Sequence, residues 1–299
     1  MIIVITGATG FLGTPLLKRL AREHELRVLA RTPGKAAGLP GNPAVFRWAG
    51  ESEPPPAEAF EGADAVINLA GEPVNGRFTP AHKRRVYDSR VLGTRRIFET
   101  LQGMPQRPAK FVSASAVGYY GERGDEVLTE TSLPGTGFLA DVCKDWEREA
   151  VACGGLGMAV TRVRIGIVLG PGGGALQAML PPFKLGLGGP LAGGRGYMPW
   201  VHVDDLAELF AFALRPGAAV VYNGVGPEPV TNARFTKALG RTLRRPALVP
   251  VPRLALKAAL GEMADVVLMS DRVVPKQALD EGFRFRYPTI EAALAAVLR

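Results

Sequence analysis

Gly7, Gly10 and Gly13 fall in the run Thr6-Gly-Ala-Thr-Gly-Phe-Leu-Gly13, directly after an apolar strand pattern and directly before a helical one (Pro15, Leu16, Leu17, Leu20). That order of strand, glycine turn and helix suits the chemistry of a diphosphate. Gly7 lets the chain turn tightly, Gly10 lets the backbone approach a pyrophosphate, and Gly13 lets helix and strand pack closely. Thr9, Phe11 and Leu12 lie on the same turn and would share the contact. Free N–H groups at the helix start, with the helix dipole behind them, favour an anion. The spacing predicts a dinucleotide site. A buried strand with a glycine turn and no ligand is the alternative.

The second strand pattern, Leu26-Arg-Val-Leu-Ala30, runs into Arg31-Thr32-Pro33-Gly34-Lys35. An acidic side chain at this strand end would hydrogen-bond the adenosine ribose of NAD, and none stands between 26 and 35. Arg31 instead offers a planar fork suited to a 2′-phosphate, with Thr32 and Lys35 as further donors, so the pattern points to NADP. A surface arginine that starts a loop is the alternative. The fourth strand, Asp64-Ala-Val-Ile-Asn-Leu-Ala-Gly71, ends in small residues. Leu69, Ala70 and Gly71 should therefore line the crevice beyond the strand ends, where Glu72 could accept from a ribose hydroxyl. Asn68 reads as a satisfied core polar group. Arg90, on a long helical pattern, could meet a phosphate or a carboxylate, or face solvent. Arg164 ends the sixth strand pattern, and Gly166 in Ile165-Gly-Ile167 permits close approach of the backbone to a ligand. Arg195, in Gly193-Gly-Arg-Gly196, is the best candidate to hold a substrate anion, although a surface loop would look the same.

These residues need a frame. Strand patterns near 2–6, 26–30, 44–48, 64–69, 109–114, 160–165 and 220–224 alternate with helical patterns near 12–23, 79–103, 138–153 and 204–214. The alternation predicts an α/β fold, a Rossmann-like, doubly wound parallel sheet. Residues 50–59 read as a polar, proline-rich surface connection. Residues 170–200 hold many glycines and prolines with few regular signals, a stretch long enough for a small substrate lobe or a mobile lid. After about residue 226 the pattern changes, with helices near 231–243, 253–264 and 289–298. The expected division is an NADP-binding domain over 1–225, carrying the substrate loop 170–200, and a smaller C-terminal substrate lobe over 226–299. The boundary is loose, because extended α/β enzymes interleave the two.

Bulk properties narrow the partners. A chain of 299 residues can bury one large α/β core with an appended lobe. Its net charge of +8 is spread along the whole sequence. The densest run, His82-Lys83-Arg84-Arg85, lies on a predicted helix and comes without a helix-turn-helix or RNA-binding signature. A solvated basic edge or attraction to a polyanionic cofactor fits better than nucleic acid. No apolar run reaches membrane-spanning length, and no signal-peptide pattern precedes the first strand, so no membrane contact is expected. Cys143 and Cys153 form neither a disulfide framework nor a metal site, which suits the reducing cytoplasm.

Further segments carry a resemblance. They are Asn68-Leu-Ala-Gly-Glu72, Ser113-Ala-Ser-Ala-Val-Gly-Tyr-Tyr-Gly121, Leu185-Gly-Leu-Gly-Gly-Pro190, Trp200-Val-His-Val-Asp-Asp205 and Gly282-Phe-Arg-Phe-Arg-Tyr-Pro288. With the glycine turn, they make the whole chain resemble the extended short-chain dehydrogenase/reductase superfamily. Within it, the chain is similar to the atypical "epimerase family" proteins, and its tail resembles the small C-terminal domain of unassigned role that accompanies them. The resemblance implies an oxidoreductase or epimerase-like enzyme acting on a small substrate. It also implies general acid/base catalysis by a serine at the end of the fifth strand and a Tyr-x-x-x-Lys pair on the next helix. Ser115 takes the serine position, with Ser113 and Ala114 beside it bordering the cofactor. Lys144 takes the lysine position, where it would also hold the nicotinamide ribose. Ala140 stands where the tyrosine should be and cannot transfer a proton, so the expectation is a gap in the crevice between Ser115 and Lys144. Tyr119, Tyr120, Asp141, Tyr197 and His202 are the candidates to replace it, with a structural role for His202 as the alternative. Tyr120, Arg195 and Tyr197 are the residues expected to touch substrate. The resemblance further implies a homodimer paired through the long flanking helices. The rival reading is a non-catalytic NADP(H)-binding redox sensor or partner-binding module.

Overall fold

A computed structural model describes residues 1–298. Along the first half run β1 (Ile2–Thr6), α1 (Gly13–Leu20), β2 (Glu25–Ala30), β3 (Ala44–Arg47), β4 (Ala65–Asn68), α2 (Pro80–Gln102), β5 (Lys110–Ala116), β6 (Val127–Leu128) and α3 (Phe138–Ala152). There follow β7 (Ala159–Ile165), β8 (Ile167–Leu169), α4 (Gly174–Lys184), β9 (Tyr197–Met198), β10 (Trp200–His202), α5 (Val203–Ala213) and β11 (Val221–Gly224). The last stretch holds β12 (Val230–Thr231), α6 (Asn232–Leu243), α7 (Arg253–Leu260), α8 (Met263–Val267), β13 (Arg272–Val273), α9 (Lys276–Asp280) and α10 (Ile290–Val297).

Seven strands form one parallel sheet in the order β11-β7-β5-β4-β1-β2-β3. The chain winds outward from β1 to β3, then returns to β4 on the other side of β1. That reversal opens a crevice beyond the carboxyl ends of β1 and β4, where such sheets bind ligands. The sheet is covered on both faces, and its central strands β1 and β4 are nearly continuous apolar runs. Ile3 and Ile5 point into a core shared with Leu16, Leu17 and Leu20 of α1 and Leu206, Leu209 and Phe210 of α5. Val4 points the other way, into a core with Ile97 and Leu101 of α2 and Ala150 of α3.

A third core joins Leu176, Leu180 and Phe183 of α4 and Trp200 of β10 to Phe235 and Leu239 of α6 and Ile290 and Leu294 of α10. The segment 170–200 and the chain after 226 therefore pack as one body. Short pairings stitch it further: β8 with β10, β9 with β12, and β13 with β6 in the main domain. Short strands β6, β8, β9, β10, β12 and β13 and the short helix α9 add to the elements the sequence pattern predicts, and two helical stretches differ from it. The segment 170–200 contains α4, whose glycine entry and Pro181-Pro182 read as breakers; both prolines sit in its final turns, just before it ends. The helix expected over 253–264 is split at Gly261, which takes φ +60°.

Candidate functional site

The glycine turn lies at the crevice between β1 and β4. Gly7 has φ +70°, and a Cβ there would stand 2.7 Å from the Leu69 carbonyl carbon. A Cβ on Gly13 would stand 2.0 Å from the Ala8 oxygen, and one on Gly10 3.1 Å from the Gly7 oxygen. The turn is closed by Gly10 N–H to Gly7 (2.9 Å) and Gly13 N–H to Gly10 (3.0 Å). Thr9 and Gly10 are exposed, and Leu12 precedes α1 without a side-chain cap, leaving the first N–H groups of the helix for a ligand. Thr6 has a part the sequence did not show. Its hydroxyl donates to Asn68 Oδ1 at 2.7 Å and accepts from the Leu69 and Ala70 N–H groups at 3.1 Å each, splicing the ends of β1 and β4. Asn68 is satisfied in turn by Thr94 at 2.9 Å.

Arg31 and Thr32 lie exposed just past β2, with Lys35 in the 3-10 turn that follows. No carboxylate pairs with Arg31 among the described residues. The acid of this strand, Glu25, sits at its opposite end. On the facing wall, Leu69, Ala70, Gly71 and Glu72 follow β4. Gly71 leaves room for Arg90, whose guanidinium carbon would be 3.0 Å from a Cβ there. Arg90 donates to the Glu72 carbonyl (2.8 Å) and the Val86 carbonyl (3.2 Å) and lies over Trp146, 5.3 Å from the ring centre. Burial lowers its pKa, and it braces this wall from behind.

At the end of β5, where an open crevice between Ser115 and Lys144 is expected, Ser115 enters a buried polar network. Ser115 is 2% exposed and donates to Glu147 Oε1 at 2.7 Å. Glu147, 5% exposed, also accepts from Arg164 at 2.8 and 2.9 Å and from Arg162 at 3.2 Å. Ser115 and Arg164 are partners in the register of β5 and β7. Arg164 then donates to the Tyr120 hydroxyl (2.9 Å), which donates to Asn223 (2.6 Å). Burial opposes the charge of Arg164, but its bonds to Glu147 hold the pKa above the ordinary value. Tyr120 is fully buried, and burial pushes its phenol up to about 12. It belongs to the core. Tyr119 is half-buried, with the Arg164 guanidinium 3.5 Å from its ring centre. Ser113 and Ala114 are inside the sheet. Glu147 went unseen in the sequence; its one signal is its place one helical turn beyond Lys144.

Lys144 is partly exposed and pairs with Asp141 at 2.7 Å. Ala140 is 2% exposed, so no open gap stands at its side chain. The turn 117–120 closes on α3 here, and Gly118 lies against Leu139 and Cys143. Gly166 turns towards protein: a Cβ there would stand 2.1 Å from the Pro199 oxygen, and the Ile167 N–H bonds that same oxygen at 2.6 Å. His202 accepts from the Asp204 N–H (3.1 Å), capping α5, and stacks on Tyr287 at 3.8 Å. Burial lowers its pKa.

Arg195 lines a cavity of about 350 Å³ between the main domain and the C-terminal segment, with Asp125, Asn232, Arg253 and Ser270. Tyr197 lies under the Arg272 guanidinium, 5.2 Å from the ring centre. Its N–H donates to Ser270. Asp271 follows, buried, with no partner for Oδ1. Burial, with Glu122 nearby, pushes its carboxyl up to about 7. Cys143 and Cys153 are free and buried, and burial raises both thiols to about 12. Among the described residues no helix is long and apolar enough to cross a membrane, and no metal-ligating cluster is present.

Comparison with known proteins adds to this geometry. A family model described as the NAD dependent epimerase/dehydratase family matches residues 3–224, and one for a domain of unknown function matches 251–297. A chloroplastic epimerase family protein SDR39U1 homolog from Arabidopsis thaliana is 41% identical over 306 residues, covering 100% of this chain and 87% of the relative. The crystal structure of human epimerase family protein SDR39U1 with NADPH superposes with a TM-score of 0.86 at 31% identity, over 99% of each chain. A UDP-glucuronic acid 4-epimerase from Bacillus cereus shares the fold, with a TM-score of 0.80 at 16% identity over 99% and 98% of the two chains.

Proposed function

The chain belongs to the NAD dependent epimerase/dehydratase family, and within it we propose that it binds NADP(H) and acts as an oxidoreductase or epimerase-like enzyme on a small substrate. One observation carries the cofactor: an uncapped glycine turn at the reversal of the sheet, beside a β2 end that offers Arg31 and no acid. The human relative crystallised with NADPH supports the same reading. Residues Gly7, Thr9, Gly10, Phe11, Leu12 and Gly13 would hold the diphosphate. Arg31 and Thr32 would hold the 2′-phosphate, residues 69–72 would line the wall, and Lys144 would reach the nicotinamide ribose. Bound there, the cofactor supplies or takes a hydride.

The chain's own residues orient and hold. Ser115 donates its one hydroxyl hydrogen bond to Glu147, so towards the crevice it can only accept one. The same observation, with Ala140 closed over, favours a second reading, in which the protein binds NADP(H) as a sensor without turnover. Two buried, free thiols fit a reducing compartment, and we assign the cytoplasm on that ground.

Calorimetry with the two reduced cofactors tests the assignment. A charge-assisted phosphate contact of about 1.5–3 kcal/mol corresponds to a preference for NADPH over NADH of about ten- to a hundred-fold. Arg31→Ala should remove most of it. Equal affinity for both cofactors in the unmodified protein would overturn the NADP assignment. Loss of NADPH absorbance with a panel of small carbonyl compounds would separate the enzyme from the sensor.

A further inference from the structure

The ring of Phe11 leaves the glycine turn and enters a socket walled by other glycines. A Cβ on Gly170 would stand 2.9 Å from the ring, one on Gly173 2.5 Å and one on Gly174 2.9 Å. Gly173 is the residue before α4 and Gly174 its first. Gly172 and Gly174 take φ of +73° and +68°, so the backbone around the ring is one that side chains rarely adopt. From this socket α4 runs into the third core through Leu176, Leu180 and Phe183. The chain beyond it leads to Arg195 and Tyr197, on the substrate side.

We propose that Phe11 is a positioning residue that couples the two sides of the site. Seated among Gly170, Gly173 and Gly174, its ring pins the phosphate turn to the start of α4. Cofactor binding then orders the substrate-side segment 174–197, and order in that segment strengthens cofactor binding. The proposal rests on the reading that residues 7–13 hold the diphosphate of the cofactor. Its physical basis is close packing. On the side facing these glycines the ring leaves no space for even one added methyl group, so a shift of the turn presses directly on the start of α4. A coupling of this kind is reciprocal by thermodynamic necessity.

The test compares the full chain with Phe11→Ala, Gly173→Ala and the double variant. NADPH affinity is read by fluorescence titration, folding by thermal denaturation, and order in 174–197 by amide hydrogen exchange with and without NADPH. In the unmodified protein NADPH should slow exchange across α4. Gly173→Ala should expel the ring, weaken NADPH by about tenfold or more, and abolish that protection. Phe11→Ala should abolish the protection too. It removes atoms rather than adding them, so it keeps the test open if Gly173→Ala fails to fold. In the double variant the new methyl occupies space the ring has left, and affinity should recover to that of Phe11→Ala alone. Unchanged NADPH affinity in a folded Gly173→Ala protein would overturn the proposal. So would protection of α4 that persists in Phe11→Ala. Absence of NADPH binding by the unmodified protein would instead strike the cofactor reading itself.

Discussion

Ser115 and Glu147 show how one side chain redefines another. The serine keeps the place that its strand and the run 113–121 give it, but its hydroxyl proton points at a carboxylate clamped by Arg164 and Arg162. The run announces Ser115; nothing in it announces Glu147, which reaches the strand end only because α3 turns it inward. Buried charges are seldom legible in sequence, since a lone Glu or Asp reads as surface until its surroundings are known. Asp271 is the second case, and it has a pH signature. Its folded pKa of about 7 lies above the ordinary 3.8, so the folded chain binds more protons than the unfolded one between those values. Its contribution is fully present below 3.8 and is lost as pH rises through about 7. The slope in that window is at most about 1.4 kcal/mol per pH unit. Asp271→Asn should flatten the stability profile there and leave the variant more stable than the parent above about pH 7, as measured by denaturant titration across pH. An unchanged profile would show that Oδ1 finds a partner in solution.

The elements were more legible than the residues they carry. The sheet strands are of ordinary strand length, and their positions follow the sequence pattern within two residues. α4 was not legible, because its Gly173-Gly174 entry and its Pro181-Pro182 exit carry the usual signals of a loop. α3 was legible as a helix, but its rotation was not. The sequence expectation put Ala140 on an open crevice. The structure puts it on the buried face, with Cys143, Trp146 and Glu147. Ala140→Tyr should therefore overpack α3 against the turn 117–120 and cost about 1–3 kcal/mol. Equilibrium unfolding in urea measures this directly. A variant as stable as its parent would restore the idea of a vacant tyrosine site.

At the scale of the molecule, the alternation of strand and helix gave away a doubly wound sheet, and the glycine turn stands at the reversal of that sheet. The third core could not be read in this way. Its halves lie in segments 170–200 and 230–298, which no local pattern connects. A chain ended after Gly224 should leave Leu176, Leu180, Phe183 and Trp200 uncovered, each costing about 1.5–3 kcal/mol of lost burial. Such a fragment should bind a hydrophobic dye and show no cooperative transition by calorimetry. A sharp transition would mean that the main domain stands alone.

The pairing of β13 with β6 has a consequence for inheritance. Arg272 and Val273 complete a strand pair whose other half, Val127 and Leu128, lies within the stretch matched by the first family model. The two matched stretches, 3–224 and 251–297, therefore cannot be shuffled like beads on a string. A recombination between them that joined parts from diverged parents would split the pair of strands and the shared core at once. Descent should keep the two together, and grafting the tail of one relative onto the body of another should succeed only when both halves of these contacts travel with it.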